Sequence, residues 1–423
     1  MLVVLTVSAF VAGYLARELV SDRDRTLAHA EQDDMALYRE AWALINQHFL
    51  GAPPDPRAVT YGAIRGSLAA LNDPYTIFVE PAARDAERER LQGSFGGIGA
   101  YLTRSEETGE VILEPIAGNP AEAAGVVAGD VLLAIDGEPV AAETTVPDII
   151  ARIKGQTGTS VTLTVRHPGA TTPVDIRIVR ADILLPSVTY RLTAEDPTIG
   201  YIALSRFSGE SGKEIGAALQ DLLAQGATRF ILDLRQNGGG LRDSAVAVAD
   251  HFLDEGPVLT IESQTEGERV FSTTDETLLP DAPLAVLIDG GTASASEIVA
   301  GALRDRDRAT LIGSKSFGKG SVQLVFDLSD GSSVHVTSAR WFTPDHHQLD
   351  QNGLDPDIPV EVTQDDIDNG RDPALARAID FFKEKLLDVD RLRAEQKESA
   401  PRAAAERRQA MLDLADSFDA AIT

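Results

Sequence analysis

The sequence predicts a multidomain protein that joins an α+β unit to a layered α/β core, with helical segments at both ends. Three observations carry this. Its 423 residues correspond to about three domains at ~150 residues each. Short β-branched runs separated by turns fill the stretch from Gly93 to Arg180. From residue 183 to 362, continuous apolar runs alternate with helical patterns, as expected of strands buried on both faces and covered by helices.

Composition narrows the function classes. Hydrophobic residues make up 43% and charged residues 25%, ordinary globular values that exclude wholesale disorder. Lys and Arg number 38 against 66 Asp and Glu, a net charge of −28. Such a surface repels phosphate backbones and argues against a nucleic-acid partner; solubility accounts for the acidity most simply. Cysteine is absent, which removes disulfides, Cys-ligated metals and thiol nucleophiles from consideration.

Met1 to Ala16 is uncharged and apolar, followed by Arg17 and Glu18. It reads as an export signal or membrane anchor over residues 1–20, somewhat short for a spanning helix of ~20 apolar residues. A buried helix of a soluble domain is the alternative. Arg17, Arg23 and Arg25 follow the run and stand on the wrong side for the positive-inside rule. The expected location is extracytoplasmic, either anchored or secreted.

A helical region is expected over 21–93. Tyr38, Trp42, Ile45 and Phe49 form a stripe at helical spacing, and the Pro53–Pro56 cluster ends that helix. A second helix covers Val59 to Leu71. Ala82 to Arg90 reads as a solvated helix face leading into Gly93, Gly96, Gly97 and Gly99. Residues 94–181 then form a compact α+β unit with strands at 111–113, 131–135 and 161–165 and helices at 120–124 and 146–153. In the core, 182–363, strands fall at 230–234 and 284–288 and helices at about 211–225, 241–253 and 294–304. Residues 364–423 read as a charged helical tail.

The chemistry concentrates in three segments. Gly290 to Ile298 follows a buried strand and opens a helix. One reading is a capping box, Ser294 as N-cap and Glu297 three residues on. The other makes Ser294 a nucleophile exposed at a strand-to-helix turn, where free amides can hold an oxyanion. None of the seven histidines falls in a catalytic pattern, so lysine is the candidate base. Lys319, Ser321 and Gln323 share one face of an extended segment, with Val322, Leu324 and Phe326 on the other. Gln323 is then placed to orient the amine. An exposed lysine in a glycine turn is the competing reading. As a base near neutral pH, Lys319 must fall from ~10.4 to about 7 or 8, which burial away from carboxylates achieves. Gly313 to Gly320 mimics a phosphate loop, but Gly320 replaces the metal-binding hydroxyl and a strand follows rather than a helix. Asp233 to Gly240 runs from a strand into three glycines, either an ordinary turn or an oxyanion pocket.

Taken in order, these segments resemble the carboxyl-terminal processing peptidases, or tail-specific proteases. The resemblance spans about residues 35–380. It rests on Leu71-Asn72-Asp73-Pro74-Tyr75-Thr76, Gly97-Ile98-Gly99, Asn119 to Gly125, Ala128 to Val131, Ile135-Asp136-Gly137, Asp233 to Gly240, Thr292 to Ile298, Phe317 to Gln323 and Asn352 to Asp357. Gly238 stands where the family often has proline. The resemblance implies a PDZ domain at 94–181 and a crotonase- or ClpP-like layered α/β protease core. It assigns Ser294 as nucleophile, Lys319 as general base and Gln323 as its support, with Ser296 a poorer fit. It further implies oxyanion donors at Ala295 and at Gly239 or Gly240, and a carboxylate-binding turn at Gly97, Ile98 and Gly99. Arg166 is expected to couple the PDZ unit to the core. Implied partners are proteins or peptides with free, apolar C-termini, without metal or organic cofactor. An inert PDZ-containing scaffold is the alternative from another class, and a small-ligand or crotonase-like hydrolase rests on the layered core alone.

Overall fold

The computed structural model describes residues 35–274 and 277–387. The expected signal or anchor at 1–20 and the tail from 388 onward lie outside these residues. Among the described residues, no helix is long and apolar enough to cross a membrane. The chain divides into two compact units, Met1–Asn72 and Asp73–Thr423. In the first, helices occupy 35–48 and Pro56–Ala69. Of the expected stripe, Tyr38, Ile45 and Phe49 are exposed.

The larger unit is built on a six-stranded sheet. Ile199–Leu204, Arg229–Asp233, Leu284–Ile288, Thr310–Gly313 and Ile358–Pro359 pair in parallel, and Val188–Leu192 adds an antiparallel edge. Leu284–Ile288 is buried at every position, as its unbroken apolar sequence requires. Helices Ser211–Ala224, Arg242–Asp250 and Ala295–Asp305 cover one face. Ala378, Ile379 and Phe382, from the helix beginning at 373, cover the other. Strands Arg229–Asp233 and Leu284–Ile288 are parallel neighbours. The loops that leave their carboxyl ends therefore emerge side by side, the usual place for a site in such a sheet.

A second sheet centres on Ser333–Phe342, which pairs with Ile77–Val79, Gly256–Ser263 and Ser321–Asp327. Ile77–Val79 thus joins this sheet instead of continuing the helices before it. The following helix, Pro81–Gln92, is charged as expected but not wholly solvated. Arg84 is buried, its guanidinium shared between Glu87 (2.9 Å) and Asp327 (3.0 Å). The long aliphatic stem lets a charged residue pack when its head is paired.

The α+β unit is a five-strand antiparallel path: Ala100–Arg104, Val111–Pro115, Asp130–Ile135, Ser160–Arg166 and Val174–Val179. Helices Pro120–Ala123 and Val146–Ile153 pack on it over Leu113, Ile149 and Leu163. Arg180 is buried against the end of Val146–Ile153, donating to Ile153 O (2.7 Å) and Ser160 O (3.0 Å). It thereby satisfies carbonyls a helix leaves open. The chain enters and leaves this unit through adjacent antiparallel strands, Ser94–Gly97 and Ala181–Leu184.

Candidate active site

Ser294 ends the turn between Leu284–Ile288 and Ala295–Asp305 with φ 54° and ψ −116°. A side chain rarely accepts that backbone, and such strain concentrates where geometry serves chemistry. No Gly-x-Ser-x-Gly motif announces the turn, yet its strained strand-to-helix geometry is comparable. Asn237, fully buried, clamps this turn to the Asp233–Gly240 loop. Its carbonyl accepts Ala293 N–H (3.0 Å) and the Ser296 hydroxyl (2.8 Å), and its amide donates to Leu204 O (2.7 Å). Ser296 is therefore buried and engaged, which removes it as the rival nucleophile.

Glu297 does more than half of a capping box. Fully buried, its carboxylate accepts Ser294 N–H (2.9 Å), the Ser316 hydroxyl (2.5 Å), Gly318 N–H (2.7 Å) and Lys319 N–H (2.9 Å). One side chain thus fixes both backbone segments that carry Ser294 and Lys319. The box spacing located Glu297; contacts 19 to 22 residues away left no mark in the sequence.

Lys319 is held at its carbonyl by the Trp341 indole N–H (2.9 Å). Its Nζ rests over the Tyr75 ring, 5.2 Å from the centroid, without an ion-pair partner among the described residues. Burial pushes the amine below the ordinary lysine range, against the opposing pull of Glu297 and Glu87. Ser294 and Lys319 line one cavity of about 600 Å³. Leu259, Ile261, Ile298, Val322 and Trp341 give that cavity its apolar lining. The two side chains do not hydrogen-bond to each other here, a common condition of catalytic pairs without substrate.

Of the three expected oxyanion amides, Gly239 is corrected. Its N–H is already donated to Asn237 Oδ1 (2.9 Å). Gly239 serves by closeness: at φ 96° a Cβ would lie 2.8 Å from Ala293 O and 2.9 Å from Ser294 Cβ. Ala295 N–H opens its helix and Gly240 N–H lies in the facing loop; neither amide has a partner within the described chain.

Gln323 lines the same cavity, but its amide nitrogen donates to Ser321 Oγ (2.9 Å) and Thr337 Oγ1 (3.3 Å), not to Lys319. The expected apolar back face holds only at Val322. Leu324 and Phe326 are about half exposed, at 52% each, and Val325 between them is exposed too, so both faces of the strand are uncovered beyond Gln323.

In the α+β unit, Gly97-Ile98-Gly99 precedes the edge strand Ala100–Arg104. Ile98 is buried, and the Ile98 and Gly99 amides make no hydrogen bond within the described chain. Arg166 does not reach the core: it pairs with Glu110 of its own unit (2.6 Å). Lys154, closing helix Val146–Ile153, instead reaches out of the unit to Glu89 on helix Pro81–Gln92 (2.5 Å).

Arg235 is a further residue that residue spacing did not reveal. It binds Asp233 and grips Asp372 through two bonds of 2.8 Å. Burial opposes its charge, but these carboxylates outweigh it and hold the guanidinium ionised. Tyr201, half-buried and donating to Asp233 (2.6 Å), is pushed up to about 12. This network anchors the root of the Asp233–Gly240 loop.

Comparison with known proteins agrees with this architecture. Residues 198–360 match Peptidase family S41 and residues 111–167 a PDZ domain. A carboxyl-terminal-processing protease of Synechocystis is 38% identical over 332 residues, covering 78% of this chain and 77% of the relative. One from Bartonella bacilliformis is 34% identical over 378 residues, covering 87% and 86%. CtpA of Bacillus subtilis, named a carboxy-terminal processing protease, is 34% identical over 325 residues, covering 76% and 68%. With both domains matched and similarity running through most of its length, the chain belongs to the carboxyl-terminal-processing proteases, serine peptidases of family S41.

Proposed function

We propose that the protein is an endopeptidase that binds the free C-terminus of a polypeptide on its PDZ unit and cuts near that tail with a Ser294–Lys319 dyad. The observation that carries the reading is a strained serine and a half-buried lysine, without an ion-pair partner among the described residues, lining one cavity. Ser294 Oγ attacks the scissile carbonyl while neutral Lys319 takes its proton. The amides of Ala295 and Gly240 receive the oxyanion. Lys319 passes the proton to the departing amine, leaving an acyl-enzyme on Ser294. Water, deprotonated by the same amine, then releases the acid and restores the serine.

Tail recognition is supported by the two open amides at Ile98 and Gly99 and by the unpaired edge of Ala100–Arg104, which suits strand addition by a peptide. The uncharged run from Met1 to Ala16 supports an extracytoplasmic setting, tested by whether protease added to intact cells reaches the chain.

The deciding assay cleaves one apolar-tailed peptide with free and amidated ends. Loss of cutting on amidation is expected; equal rates would remove the PDZ role. Ser294→Ala and Lys319→Arg are each expected to lower kcat by ~1,000-fold or more, since arginine stays protonated. Parental rates in either variant would refute the dyad.

A further inference from the structure

Asp73 to Thr76 has no role in the scheme above, yet it meets both Lys319 and Gln323. Asp73 closes a tight turn: Oδ1 accepts Tyr75 N–H (3.0 Å) and Oδ2 accepts the Thr76 hydroxyl (2.6 Å). Thr76 is buried, and its Oγ1 accepts Thr337 N–H (3.1 Å) across 261 residues of chain. Thr337 stands opposite Gln323 in the ladder and accepts its amide nitrogen. Because the register shifts just before Gln323, regular pairing does not by itself set that side chain. The same turn lays the half-buried Tyr75 ring against the Lys319 amine.

We propose that the Asp73–Thr76 turn is a positioning element of the active site: Tyr75 closes one side of the Lys319 amine against water, and Thr76, through Thr337, sets Gln323. The proposal rests on the Ser294–Lys319 reading and adds the parts that keep the base in its working state.

Two effects of the ring oppose each other. Its face attracts a cation, favouring the ammonium, while its bulk displaces water, favouring the free amine. The charged groups facing Lys319 are Glu297 from its helix, Glu87 from Pro81–Gln92 and His335 from Ser333–Phe342. Both carboxylates favour the ammonium, yet the amine lies below its ordinary range, so water exclusion wins. The phenol adds no charge, because burial and then Asp350, Glu297 and Asp73 raise it further.

The test is the pH dependence of kcat/KM on a free-tailed fluorogenic peptide, using the full chain. Tyr75→Ala is expected to move the acidic limb to higher pH by about one unit or more, equivalent to a ~10-fold loss at a fixed pH on that limb. Tyr75→Phe should return it to its original position. A limb that stays, or moves to lower pH, overturns the proposal, since removing only a cation–ring contact would favour the free amine. If Tyr75→Ala does not fold, Tyr75→Gln brings a polar group to the amine and carries the same expectation. Thr76→Val should lower kcat without changing KM and add nothing to Gln323→Leu; full additivity overturns the Gln323 half. Lys319→Ala with parental cleavage would instead sink the dyad itself. An inactive Lys319→Ala beside an unmoved limb in Tyr75→Ala refutes this proposal alone.

Discussion

Lys319 is a liability to the folded state as well as a candidate base. Its pKa is lowered on folding from 10.5 by burial, so between the folded value and 10.5 the unfolded chain holds more protons. Stability accordingly rises with pH across that window, and the full penalty falls on the acidic side. Lys319→Met is expected to raise Tm most at about pH 6 and to lose that advantage as pH approaches the unfolded lysine value; an equal gain at all pH values would contradict the burial argument. Glu297 is the opposite case. Glu297→Gln keeps the shape but puts an amide donor among four donors, each worth ~1–3 kcal/mol when stranded. Thermal melts and kinetics should show lower Tm together with reduced kcat. Ser294, Lys319 and Glu297 stood out in the sequence because small residues, glycines and box spacing are local signals. Tyr75, Asn237 and Arg235 did not announce their contacts, since partners such as Asp372 lie 137 residues away.

At the scale of elements, the backbone approach at Gly239 is the tightest constraint on the site. Gly239→Ala would press a methyl into Ala293 and Ser294 at positive φ, displacing the serine rather than merely weakening the loop. A kcat loss of ~100-fold or more is expected, against a modest change in Tm; parental turnover would show that the loops are not tightly coupled. Arg180→Met leaves the last carbonyls of Val146–Ile153 unsatisfied. It should weaken tail-peptide binding measured by titration while leaving unchanged the rate at which a small serine-directed phosphonate labels Ser294. Element positions were legible because Arg229–Asp233 and Leu284–Ile288 are continuous apolar runs with helices between them. The buried Arg84 was not legible: a charged helix face looks alike whether it meets water or a paired carboxylate. The exposed Leu324 and Phe326 were misread for a related reason, as alternation within one strand cannot report whether anything packs over its faces.

For the molecule as a whole, the adjacent strands Ser94–Gly97 and Ala181–Leu184 make the PDZ unit an insertion with closely spaced ends. Replacing residues 98–180 by a short Gly–Ser turn is expected to leave the core folded. Ser294 should still react with a small serine-directed phosphonate, while the preference for free over amidated tails falls to about one. Loss of the phosphonate reaction would mean that the insertion helps to build the cavity itself. The Trp341 bond to the Lys319 carbonyl has a practical corollary. The chain contains only two tryptophans, so Trp42→Phe leaves a single tryptophan, selectively excited beyond the tyrosine band and tethered to the loop that carries Lys319. Its emission becomes an internal clock for that loop, readable within a single turnover by stopped flow and without any attached dye.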